Sequence, residues 1–149
     1  MKSSRPFYTL ILSLAFIIIS ITGFAQKPVN WTPDHVMQPS ELAQKLNDSS
    51  TALPVIISVG PGALIPHSIV VGPVQEEENL AKLTNQLKGL DRKKEVVVYC
   101  GCCPYEHCPN VRPAVALLKE LKFTNYKLLD LPHNMKTDWL DKGYPRVKL

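Results

Sequence analysis

Apolar and polar positions along the chain follow two alternating patterns, one typical of strands and one typical of helices. Short runs rich in β-branched residues, of which residues 96–99 are the strongest, suit strands that are covered on both faces. The segments between them repeat apolar residues at helical spacing, as at Leu80, Leu83 and Leu87. This alternation predicts an α/β fold, a parallel sheet with helices on both faces. We predict strands at residues 54–59, 68–71, 95–99 and 125–131, and helices at residues 40–47, 75–88, 111–122 and 135–142.

Residues 1–25 have the pattern of a signal peptide. Lys2 and Arg5 precede an apolar run at residues 7–24, and Ala25 supplies a small residue at the expected cleavage position. We therefore predict an exported protein, periplasmic or extracellular. Because the apolar run is long, an uncleaved membrane anchor stays open as the alternative.

The chain beyond the signal divides into a lead-in segment at residues 26–38 and one domain at residues 39–149. The formal net charge of the whole sequence is +4, and removal of Lys2 and Arg5 lowers it to about +2, since no acidic residue lies in the removed segment. A near-neutral chain without basic runs gives no sign of nucleic-acid binding. We expect a monomer that meets a membrane only through the signal segment, if that segment is not cleaved.

All four cysteines fall between Cys100 and Cys108, in the loop after the strongest predicted strand. A disulfide scaffold would tie distant segments together, so this crowding indicates a local site. Ligands of parallel sheets bind at the carboxyl ends of strands, and Cys100 occupies such an end. Loop amides and the start of the next helix favour a thiolate there and an anion beside it. We predict Cys100 as the nucleophile and, as binding residues, Gly101, Cys102, Cys103 and Arg112.

Residues 96–145 resemble the carboxyl half of a rhodanese domain. They contain, in order, the strand at residues 96–99, Cys100, an Arg-Pro-Ala helix opening, the strand at residues 126–130, Trp139 and a Lys-Gly-Tyr-Pro ending. The stretch at residues 65–69 is similar to the family's segment before its second strand. The resemblance implies a rhodanese-like sulfurtransferase or persulfide carrier without a cofactor. Its nucleophile, which Cys100 matches, would accept sulfur from a small donor anion such as thiosulfate and pass it to a thiol acceptor.

Two features depart from the rhodanese pattern. Ser58, Val59 and Gly60 stand where family members usually carry Asp-x-Arg at the end of the first core strand. Arg112 lies twelve positions after Cys100, whereas the usual loop places its arginine only a few residues after the cysteine. The longer loop predicts a wider pocket.

The other cysteines leave three interpretations open. In the first interpretation, Cys102, Cys103 or Cys108 is a resolving or regulatory thiol that forms a disulfide with Cys100. In the second, Cys103 and Cys108 form a structural disulfide that closes the loop. The third interpretation is a soft-metal site for copper(I) or zinc. The alternative function is accordingly a metal-binding or thiol-redox module on a rhodanese scaffold, and an inactive interaction domain is a further possibility. The candidate metal or redox residues are Cys100, Cys102, Cys103, His107 and Cys108.

Overall fold

The computed structural model describes residues 31–148 of the chain. The predicted signal peptide at residues 1–25 lies outside the described residues. Within residues 31–148, no helix has the length and apolar character needed to cross a membrane.

In the described part of the chain, five parallel strands form one sheet in the order β1-β5-β4-β2-β3. The central strand β4 consists of four consecutive buried residues, as a strand covered on both faces requires. It pairs with β2 on one side and with β5 on the other. The strands are β1 (Val36–Met37), β2 (Val55–Ser58), β3 (Ile69–Val70), β4 (Val96–Tyr99) and β5 (Tyr126–Leu129).

Within residues 31–148, three α-helices connect and cover the strands, and each one occupies a segment that the apolar periodicity predicts. They are α1 (Pro39–Asn47), α2 (Glu77–Lys88) and α3 (Val111–Glu120). Two short 3₁₀ turns, Pro33–His35 and Tyr105–His107, complete the loops. The elements confirm the predicted α/β class.

The two faces of the sheet carry separate apolar clusters. Val96 and Val98 of β4 pack on the side that holds α2 and α3, together with Leu83 and Leu118. Val97 and Tyr99 point to the opposite side, where α1 and Trp139 lie. Alternate side chains of one strand therefore enter different clusters, and helices cover both faces as predicted.

The structure differs from the predicted elements at both ends of the domain. Strand β1 falls within the segment predicted as a lead-in, although Met37 has no exposed surface and pairs with Leu129 of β5. Two residues are too few to give an alternating signal, so the pattern could not predict this strand. The helix predicted at residues 135–142 is a single π-helical turn, Lys136–Leu140, closed by a hydrogen bond from the Asp141 amide to the Lys136 carbonyl.

Candidate active site

Cys100 lies directly after β4, at the carboxyl edge of the sheet and only 7% exposed. The chain leaving β2 runs beside it, since the amide of Val59 donates to the carbonyl of Tyr99 at 2.8 Å. Gly60 then passes so close that a Cβ atom there would lie 2.8 Å from the Cys100 sulfur and 2.5 Å from its carbonyl oxygen. Only glycine therefore fits at position 60, where the backbone packs directly against Cys100.

Three sulfur atoms gather at this edge of the sheet. The sulfurs of Cys100, Cys102 and Cys108 all lie within 4.8 Å of one another, and the first two are 3.1 Å apart. Cys108 has no exposed surface, whereas Cys102 is exposed. Cys103 stands outside the cluster, and its sulfur lies 3.5 Å from that of Cys102. All four cysteines are free thiols, and the structural disulfide between Cys103 and Cys108 stays a prediction.

Gly101 turns the chain sharply between the two closest sulfurs. Its φ of +80° lies in the left-handed region that glycine adopts without strain. Its carbonyl accepts a hydrogen bond from the amide of Met135 at 2.9 Å, and a Cβ atom on Gly101 would approach the Met135 side chain to 3.1 Å. The cysteine loop is therefore held against the segment that precedes the π-helical turn.

Asn110 contacts the Cys100 sulfur, a contact that the sequence pattern does not predict. It is 5% exposed and immediately precedes α3. Its Oδ1 accepts a hydrogen bond from the backbone amide of Gln75 at 3.1 Å, which fixes the orientation of the side-chain amide. Nδ2 is consequently directed to the Cys100 sulfur, to which it donates at 3.5 Å. An Asn before a helix suggests an N-cap on sequence grounds, and only the fold places it against Cys100.

The surroundings of Cys100 favour its thiolate. Hydrogen bonds from the Cys108 thiol, the Cys102 thiol and amide, and Asn110 lower the pKa of Cys100 from 9.0 to about 5, against the opposing effect of burial. Burial and the neighbouring Cys100 raise the pKa of Cys102 to about 12. The hydrogen bond to Cys100 likewise raises the pKa of Cys108, although backbone amides of Asn110 and Val111 favour its thiolate. The surroundings therefore favour the thiolate of Cys100 over those of Cys102 and Cys108.

A pocket of about 360 Å³ opens above Cys100. Its walls come from the loop after β2, the cysteine loop and Met135. None of the described residues that line it is a lysine, arginine or histidine, so backbone amides supply whatever positive potential the walls carry. The lining residues are Pro61, Gly62, Ala63, Leu64, Tyr99, Cys100, Gly101, Cys102 and Met135.

The remaining candidates lie away from these walls. Arg112 is exposed, and its Nη2 donates to the carbonyl of Glu106 at 2.7 Å, which braces the cysteine loop. His107 is exposed on the 3₁₀ turn and is not among the grouped metal-ligating atoms of the described residues. The fold thus brings Cys100, Gly101 and Cys102 into one pocket, and anion binding by Arg112 stays a prediction.

Comparisons with known proteins give structural neighbours alone. No protein-family model matches the sequence, and no curated protein matches it. Two solved structures of EanB share the fold at 18% sequence identity. One is a cysteine-to-serine variant with hercynine, with a TM-score of 0.52 over 78% of this chain. The other carries a cysteine persulfide in a tetrahedral intermediate state with ergothioneine, with a TM-score of 0.51 over 76% of this chain.

This chain spans only 28% of the length of either EanB chain. At this level of identity, the likeness establishes a common α/β fold.

Proposed function

We propose that this protein is a rhodanese-like sulfurtransferase or persulfide carrier in which Cys100 is the nucleophile. The observation that carries the proposal is a cysteine of lowered pKa at the floor of a pocket, at the carboxyl edge of a parallel sheet. The resemblance of residues 96–145 to a rhodanese domain supports it. So does the shared fold with EanB, which has been captured as a cysteine persulfide.

The proposed reaction has two covalent steps. The Cys100 thiolate attacks the outer, sulfane sulfur of thiosulfate, a new S–S bond forms, and sulfite leaves with the electron pair of the broken S–S bond. An acceptor thiolate then attacks the outer sulfur of the Cys100 persulfide. The acceptor becomes a persulfide, and the Cys100 thiolate is regenerated. No cofactor takes part in either step.

The pocket suits a small sulfur donor. Hydrogen bonds from the Cys102 and Cys108 thiols and from Asn110 keep Cys100 ionised, and the same donors stabilise the thiolate when it leaves in the second step. Since the lining is largely apolar and carries no cationic side chain, a small or weakly hydrated donor enters more easily than a large polyanion. We propose that the protein is exported and meets such donors outside the cytoplasm.

Loading with two donor classes tests this function. The reduced protein is mixed with thiosulfate or with a low-molecular-weight persulfide, and the sulfite or thiol that is released is counted per chain. Wild-type protein should release it stoichiometrically, and Cys100→Ser should release none. If neither donor reacts with wild-type protein, or if Cys100→Ser reacts equally well, the assignment of Cys100 is wrong.

A soft-metal site is the second candidate, and the three-sulfur cluster is the observation that favours it. Thiolates bind zinc at about 2.3 Å, which places neighbouring ligand sulfurs about 4 Å apart, and the three sulfurs lie within 4.8 Å of one another. The ligands would be Cys100, Cys102 and Cys108, without the predicted Cys103 and His107. Stoichiometric copper(I) or zinc binding under reducing conditions that is lost in Cys108→Ser would support this site, and the absence of binding in an anaerobic titration would exclude it.

A further inference from the structure

We propose that Cys102 resolves the Cys100 persulfide by forming a Cys100–Cys102 disulfide and releasing hydrosulfide. The inference rests on the proposed function, because it begins from the persulfide that the donor creates. It adds sulfide to the products of the protein and an external dithiol reductant to its substrates.

The distance between the two sulfurs decides which sulfur Cys102 attacks. Displacement at sulfur proceeds in line, so attack on the outer persulfide sulfur requires Cys102 to stand about two S–S bond lengths, roughly 4 Å, from the Cys100 sulfur. The Cys102 sulfur is only 3.1 Å from it. The inner sulfur, that of Cys100 itself, is therefore the atom within reach.

The step balances without an oxidant. The Cys102 sulfur bonds to the Cys100 sulfur, the persulfide S–S bond breaks, and the outer sulfur leaves with the electron pair and takes the Cys102 proton as hydrosulfide. Two thiols are oxidised to a disulfide, and one sulfane sulfur is reduced to sulfide. An external dithiol then reduces the disulfide and restores both thiols.

The local backbone and the burial of the thiols favour Cys102 over the other two cysteines. Gly101 turns the chain with φ +80°, which brings the side chains on either side of it together. Cys102 is exposed and lines the pocket, so a disulfide at this position is accessible to a reductant. Cys108 has no exposed surface and accepts hydrogen bonds from the start of α3. Cys103 lies outside the three-sulfur cluster, and its sulfur contacts that of Cys102.

A single-turnover experiment on the reduced, anaerobic protein tests the step. Thiosulfate is added without reductant, and sulfite, sulfide and the cysteine pairing are measured together. Wild-type protein should release equal amounts of sulfite and sulfide and end with a Cys100–Cys102 disulfide. In Cys102→Ser a hydroxyl replaces the thiol donor beside Cys100, so sulfite release should be slower. The ratio of sulfide to sulfite should fall at least tenfold, and the persulfide should be retained.

The sulfite yield separates the two proposals. If sulfite appears from wild-type protein but the persulfide persists, or if Cys102→Ser still releases sulfide, the resolving step is wrong and the proposed function stands. A disulfide to Cys108, or loss of sulfide in Cys103→Ser with retention in Cys102→Ser, assigns the role to another thiol and overturns the proposal. If neither thiosulfate nor the low-molecular-weight persulfide loads wild-type protein, the proposed function fails and this step fails with it.

Discussion

At the scale of single residues, the acidity of Cys100 comes from side chains and amides that the loop directs at its sulfur. The donors are Cys108, Cys102 and Asn110, and they outweigh a burial that by itself disfavours the thiolate. The same arrangement leaves Cys102 protonated at neutral pH. The arrangement therefore favours the thiolate of Cys100 and leaves its neighbours as hydrogen-bond donors to it.

The pH dependence of alkylation measures this asymmetry. The alkylation rate of Cys100 with a small reagent such as iodoacetamide should rise with a midpoint near pH 5, because its pKa is lowered to about 5, and should be level through neutral pH. Alkylation of Cys102 should rise only in strongly alkaline solution, since its pKa is raised to about 12. Fragment mass spectra locate the label. A Cys100 midpoint near 9 would show that these donors do not stabilise its thiolate.

Asn110 contributes a separable part of that stabilisation. Asn110→Leu removes the donor to the Cys100 sulfur, and loss of a hydrogen bond to a charged group should raise the alkylation midpoint of Cys100 by about one pH unit. The matched control is Asn79→Leu, because Asn79 of α2 is also a buried asparagine but donates to the Pro73 carbonyl and the Glu76 carboxylate, which precede the helix. Both variants lose stability, yet the control should keep the wild-type midpoint. Equal shifts in the two variants would mean that Asn110 has only a structural role.

At the scale of elements, the loop after β2 packs closely against the end of β4, and Gly60 is the residue at the contact. Gly60→Ala would place a Cβ atom 2.5 Å from the Cys100 carbonyl oxygen, so backbone must move, at a cost of about 1–3 kcal/mol. We expect a lower urea midpoint and slower loading of Cys100 with sulfur. Gly89→Ala is the control, since a Cβ atom there meets nothing within 4 Å and its φ of −85° suits alanine. A Gly60→Ala variant with wild-type loading would contradict the close fit.

The long, periodic elements could be predicted because their signals are local. Helix α2 and strand β4 each show apolar residues at the spacing that their burial requires. The contact between Asn110 and Cys100 depends instead on how α3 meets the end of β4, which no sequence spacing records. The hydrogen bond from Arg112 to the Glu106 carbonyl depends likewise on the course of the extended loop. The sequence could therefore single out Arg112 but could not predict the carbonyl that it contacts.

At the scale of the whole molecule, the central strand β4 determines where the candidate site lies. It is covered on both faces and flanked by β2 and β5, so its carboxyl end is a fixed point to which two loops and the Met135 segment converge. The alternation of strands and helices predicts a parallel sheet, and the position of Cys100 after the strongest strand predicts the site. The strand order was beyond that pattern, because order is set by long-range packing. The edge strand β1 illustrates this, since its residues pair with β5 far along the chain.

The role of β1 predicts that the folded domain begins before residue 39. Met37 is fully buried in the cluster with Leu42 and Trp139, and its carbonyl accepts a hydrogen bond from the Asp130 amide at 2.9 Å. Met37→Ala should therefore lower the free energy of unfolding by about 2–5 kcal/mol, as for other buried methionines. Chemical denaturation followed by circular dichroism measures it.

The neighbouring Gln38 provides the control for this variant. Its side chain is exposed and makes one hydrogen bond, to Asp130, so Gln38→Ala should change stability by no more than about 0.5 kcal/mol. Both cores pack against the same sheet. We therefore expect both variants to unfold in a single transition, which for Met37→Ala lies at a lower denaturant concentration. If Met37→Ala is as stable as Gln38→Ala, then β1 adds nothing to the fold and the segment before residue 39 is the lead-in that its composition indicates.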